Sequence, residues 1–146
     1  MQTFLPYPSF AASAAVLDGL RLGKQRVEAF QVLRGLRIEG YGWRHHPVIR
    51  MWRGYDQALI AYGLSVTGEW VRRGHRDSVH GKISALSRRQ PPPGQDALAL
   101  EGALPPWLGD PAFHRSHQSA LVRKDPAHYG PLFPGVPADL PYVWPD

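Results

Sequence analysis

The chain contains no cysteine. Disulfides, thiolate nucleophiles and every Cys-ligated zinc or iron–sulfur site are therefore excluded. No run approaches the roughly 18 apolar residues that a membrane-spanning helix needs. The opening Met1-Gln2-Thr3-Phe4-Leu5-Pro6 has neither the basic flank nor the apolar stretch of a secretory leader. A cytoplasmic protein without a membrane partner is the expectation. No segment alternates apolar and polar residues with the period of two that marks a half-buried strand. Lysine is scarce, at positions 24, 82 and 124 alone, so arginine carries most of the positive charge.

The 17 basic residues exceed the 12 acidic ones, for a formal charge of +5, and five Trp, six Tyr and five Phe accompany them. Guanidinium groups contact phosphate in bidentate fashion and stack on planar rings. A basic, tryptophan-rich domain fits a nucleic-acid partner. At 146 residues the chain is long enough for one real core and reads as a single domain, 1–146, and as a monomer.

Helix signals dominate. Pro6 and Pro8 hold the first residues extended. Ser9 is placed to cap a short helix through Leu17, and Asp18 a longer one to about Leu36. Tyr41 to Pro47 reads as a loop, with Pro47 opening a helix that bends near Gly54 and runs on to about Arg73. Along it Ala58, Leu59, Tyr62, Val66 and Trp70 recur at three- and four-residue spacing. Asp77 or Ser78 starts a short helix through Leu86. Residues 88–106, with Pro91-Pro92-Pro93 and Pro105-Pro106, read as an irregular, solvent-exposed connection. Asp110-Pro111 begins a last helix to about Lys124, and the Pro-rich tail bearing Tyr129, Phe133, Tyr142 and Trp144 is expected to pack over the body. The fold class is all-α, a compact domain of four to five helices.

On a helix starting at Asp18, the side chains of Arg21, Lys24, Gln25 and Glu28 fall within an arc of roughly 100°. Two bases, an amide and one carboxylate on a single wall suit a site that holds an anion and moves a proton. A solvated face with a Lys24–Glu28 pair would produce the same spacing. Trp43-Arg44-His45-His46, with Arg50 beyond, resembles a loop whose bases contact phosphate while its aromatics stack, or else an ordinary loop whose His caps a helix. His114 and His117 stand three apart and invite a metal, giving a metal-dependent hydrolase as one alternative. No acidic residue shares their turn, and a phosphate-facing segment including Ser116 and Gln118 fits better. No serine lies in a nucleophile elbow. Lysines ordinarily titrate near 10.4, whereas an α-amino group does so at about 7.7–8.0. The terminal amine is thus the readier nucleophile. The bulk of Gln2 disfavours removal of Met1, so the amine is that of Met1.

The pattern Asp18-x-x-Arg21-x-x-Lys24-Gln25-x-x-Glu28 is followed by Trp43-Arg44-His45-His46-Pro47 with Trp52. Ser116-His117-Gln118-x-x-Leu121, Pro126-x-x-Tyr129 and Tyr142-Val-Trp144-Pro come later. Together these resemble the pyrimidine-dimer DNA glycosylase/endonuclease V family in its actinobacterial-type form. The resemblance implies a compact all-α DNA repair glycosylase with AP-lyase activity, acting on double-stranded DNA that carries a damaged base, a UV pyrimidine dimer foremost. It further implies an imine between the terminal amine, here Met1, and the opened sugar, with Glu28 moving protons and Arg21, Lys24 and Arg26 holding phosphates. No metal or cofactor is called for. A non-catalytic DNA-binding module and a glycosylase for a different modified base remain as alternatives.

Overall fold

A computed structural model describes residues 1–146. Every regular element is a helix: α1 Phe10–Val16, α2 Gly19–Arg37, α3 Pro47–Trp52, α4 Asp56–Arg72, α5 His80–Ala85, α6 Gln95–Leu100, α7 Pro111–Lys124 and α8 Pro126–Tyr129. The all-α expectation holds, but the helices number eight rather than four or five. Part of the difference lies at Gly54, whose φ of +87° turns the chain so sharply that the expected bent helix is two separate ones, α3 and α4.

The starts follow local chemistry. Ser9 accepts a hydrogen bond from the Ala12 amide and Asp18 from the Arg21 amide. Proline occupies the first turn of α3, α7 and α8. Each cap satisfies an N–H that the helix itself leaves without a partner.

The core lies where α2 and α1 pack on α4, and its largest fully buried side chains include Trp52, Tyr62, Phe10, Phe113 and Tyr129. Trp52 meets Trp107 edge to face at 4.9 Å, and the Trp107 indole N–H donates to the Met51 carbonyl at 3.0 Å. At Gly35 the α3 residue Ile49 comes so close that a Cβ would lie 2.4 Å from its Cδ1, which sets how tightly α2 and α3 pack.

The 88–106 connection is not wholly irregular, for it contains α6. Leu98 is buried, and the Gln95 side chain accepts from the Phe10 amide and donates to the Pro8 carbonyl, both at 2.8 Å. The tail packs over the body as expected: Phe133 is buried, and Leu140 and Val143 donate their amides to Ser119 and Ser116 of α7. No helix is long and apolar enough to cross a membrane.

Candidate active site

Residues 2–6 belong to no helix yet are buried, so their backbone polar groups need partners that neither a helix nor a sheet supplies. Side chains supply them. The Phe4 amide donates to Gln25 Oε1 at 2.8 Å, and Gln25 Nε2 donates to the Gln2 carbonyl at 2.9 Å. Tyr62 donates to the Phe4 carbonyl at 2.8 Å, and Gln118 to the Pro6 carbonyl at 2.8 Å. The Trp52 indole N–H reaches Thr3 Oγ1 at 3.1 Å. Leu5 is gripped on both sides: its amide donates to His117 Nδ1 at 2.9 Å, and its carbonyl accepts from His114 Nδ1 at 2.8 Å. His114 Nε2 accepts from the Gly109 amide, so its proton sits on Nδ1, whereas in His117 it sits on Nε2. Burial holds the pKa of both rings below the ordinary histidine value, that of His117 down to about 3 with a further push from His114. Both are neutral at pH 7.

This overturns the reading of 114–118 as a phosphate-facing segment. His114, Ser116 and His117 lie on the inward face of α7, and Gln118 is spent on Pro6. Ser116 donates to the Phe113 carbonyl and accepts from Val143. With the two Nδ1 atoms committed to Leu5, the metal-pair alternative has little left to offer a cation, and no group of three metal-ligating side chains gathers anywhere. Gln25 likewise is only 1% exposed and faces the N-terminal segment, out of reach of a DNA backbone. Arg26 turns away from the α2 wall: it pairs with Asp77 at 2.5 Å and lies 4.4 Å over the Trp70 ring. Each correction has one cause. A polar side chain on a helix face looks solvent-directed until a second segment of chain is laid against it.

The threaded segment delivers Met1 into a cleft of about 310 Å³, lined by Met1, Gln2, Phe4, Leu20, Arg21, Lys24, Gln25, Glu28, Lys124 and Tyr142. The α2 wall read from the sequence is therefore one side of this cleft. Glu28 Oε2 accepts from Gln25 Nε2 at 2.8 Å and from the Gln2 amide at 3.4 Å. Arg21 is steadied by Asp18 at 3.1 Å, and Asp18 in turn accepts from the Tyr129 hydroxyl. Burial pushes the Asp18 carboxyl up, but the bonds from Tyr129 and Arg21 outweigh it and leave its pKa below the usual value. Lys24 and Lys124 make no salt bridge. With Arg21, they give the cleft a positive rim around a single unpaired carboxylate. Lys124 and the apolar Leu20 were not among the site residues read from the sequence. Nothing short of the fold brings the last turn of α7 to the mouth of α2.

The 43–46 loop stands beside this cleft. The His46 ring caps α3 by accepting from the Val48 amide, and it lies edge-on to Trp43 at 6.0 Å and to Trp144 at 5.8 Å. Trp144 is 5.3 Å from Tyr142 of the cleft wall. Burial, then the charge on the Met1 amine, lowers the His46 pKa. Trp43 is 54% exposed, and Arg44, His45 and Arg50 are also on the surface. Arg50 reaches the Asp146 carboxylate at 3.5 Å.

The family model for pyrimidine dimer DNA glycosylases matches residues 1–82. The chain belongs to the pyrimidine dimer DNA glycosylase family. The matched stretch holds the threaded terminus, the whole α2 wall and the 43–46 loop, while Lys124 and Tyr142 come from beyond it. Searches of curated proteins and of solved structures returned no match. DNA is the substrate that a DNA glycosylase family implies, and the positive cleft of this member has the sign of charge that phosphate requires.

Proposed function

We propose that this member of the pyrimidine dimer DNA glycosylase family excises a damaged base, a UV pyrimidine dimer foremost, from double-stranded DNA and then cleaves the strand as an AP lyase. The observation that carries the reading is the meeting of Met1 and Glu28 in one cleft. The neutral amine of Met1 attacks C1′ of the damaged nucleotide, and the base leaves with the electron pair of the glycosidic bond. Loss of the amine proton and opening of the sugar, with O4′ taking up a proton, give an imine between Met1 and C1′. Glu28 removes a proton from C2′, and β-elimination expels the 3′ phosphate. The carboxylate's charge also stabilises the cationic sugar as it forms. Arg21, Lys24 and Lys124 hold the flanking phosphates. Exposed Trp43 fills space vacated by an extruded nucleotide, with Arg44, His45 and Arg50 on the strand beside it.

Borohydride reduction in the presence of a duplex with an abasic site tests this directly. A covalent adduct on Met1 is expected, abolished by acetylating the α-amine and retained in Lys24→Ala. Glu28→Gln is expected to bind the duplex as the parent does and to lose strand cleavage by at least about 100-fold, in keeping with removal of a general acid–base group. No adduct from the parent protein would leave a DNA-binding module without lyase chemistry. Cleavage compared across dimer-containing and other modified duplexes identifies the lesion.

A further inference from the structure

Gln25 has an unusual position for an amide. It lies one helical turn before Glu28, is 1% exposed, and fills all four of its main hydrogen-bonding sites with protein partners. Oε1 accepts from the Phe4 amide at 2.8 Å and from the Tyr62 hydroxyl at 2.7 Å. Nε2 donates to the Gln2 carbonyl at 2.9 Å and to Glu28 Oε2 at 2.8 Å. The amide cannot be turned over: the Phe4 N–H can only donate, while the Gln2 carbonyl can only accept. Tyr62 locks the far side. Burial, then the charge of Glu28, raises its pKa well above the ordinary tyrosine value, so the hydroxyl keeps its proton for Phe4 and Gln25.

The consequence falls on Glu28. Its Oε2 takes both donors, from Gln25 and from the Gln2 amide, while Oε1 has no protein partner. The two carboxylate oxygens are thereby made unequal, one held and one free to exchange a proton. We infer that Gln25 is a positioning residue for the lyase chemistry, one amide fixing both the segment that carries the Met1 amine and the orientation of the Glu28 carboxylate. This rests on the function proposed above. A shared clamp matters because amine and carboxylate must act on adjacent carbons of one sugar, where a displacement of about 1 Å costs on the order of 100-fold in rate.

Gln25→Glu tests it. The replacement has the same shape and keeps an acceptor for Phe4 and Tyr62, but it turns the donor facing Glu28 and the Gln2 carbonyl into a second carboxyl oxygen. The two carboxyls then titrate as a coupled pair. Strand cleavage of an abasic duplex, measured at saturating DNA across pH, should have its acidic limb moved to higher pH by about one unit or more. Duplex affinity should stay within about twofold of the parent, since Gln25 is only 1% exposed. Gln25→Met, of similar length and without polar atoms, should slow adduct formation about 100-fold with affinity likewise kept. Tyr62→Phe leaves both Nε2 bonds in place and should lower the melting temperature without moving the pH profile. Unchanged rates and profile in folded Gln25→Glu and Gln25→Met would overturn the inference while leaving the lyase reading intact. Failure of both variants to fold would also overturn it, by making the amide a requirement of the fold. Absence of any adduct from the parent protein would instead sink the proposed function, and this inference with it.

Discussion

Among single residues, His117 couples the threaded terminus to acidity. Its folded pKa of about 3 lies below the ordinary histidine value because burial disfavours the charged ring. Between roughly pH 6.5 and 3 the unfolded chain takes up a proton that the folded one refuses, so stability falls as pH falls through that window. The slope from this one group approaches 1.4 kcal/mol per pH unit at most, and above about pH 6.5 it vanishes. His117→Asn keeps an acceptor near the position of Nδ1 but cannot titrate. Its melting temperature should be lower at pH 7, yet should drop less between pH 7 and 4 than that of the parent. An equal drop in both would show that the ring is not the group responsible. Reading at this scale from sequence works where neighbours are local. Arg21, Lys24 and Glu28 were legible as one wall because a helix repeats every three to four residues. His114 and His117 were not, because their roles depend on Leu5, more than a hundred residues away in the chain.

At the scale of elements, α2 is the part on which the cleft depends, and its entry is fixed by Asp18. That carboxylate caps the helix, pairs with Arg21 and accepts from Tyr129 near the end of α8. Asp18→Ala should cost about 1–2 kcal/mol, read as a fall in the denaturation midpoint, through loss of the cap. It should also weaken DNA binding by freeing Arg21. The start of α2 was plain in the sequence because Asp-Gly before an amphipathic run has a local cause. α6 was not. It is six residues long, is preceded by Gly94 with no side-chain cap, and follows a run of prolines. Tertiary contacts maintain it: Leu98 in the core, and Gln95 against Phe10 and Pro8. Leu98→Ala should therefore destabilise the whole domain by about 2–5 kcal/mol rather than loosen a loop, which chemical denaturation can measure.

Across the whole molecule, positive charge is distributed unevenly in kind. Arg26, Arg37, Arg72 and Arg73 are paired with carboxylates and serve the fold. Lys24 and Lys124 stand unpaired at the cleft mouth, brought together from opposite ends of the chain. Binding to duplex DNA should weaken steeply with salt, and Lys24→Ala and Lys124→Ala should each reduce the magnitude of the log–log slope by about one. A slope unchanged by either would move the DNA track elsewhere, to the Arg44 and His45 side. The net charge implied unpaired positive side chains but not their place. Location requires knowing which cations are already neutralised, and Arg26 shows how a side chain one position along from Gln25 is consumed by a partner fifty-one residues on.

The route of the first residues has a practical side. Gln2 to Leu5 are buried and held by side chains while Met1 lines the cleft, so anything joined ahead of Met1 starts from the cleft. Such an extension turns the terminal amine into an amide, which the proposed imine chemistry does not tolerate. On the proposed mechanism, a protein carrying a leader ahead of Met1 should form no borohydride adduct, and cutting the leader flush with Met1 should restore it. The same geometry makes the exposed carboxyl end the place for any tag.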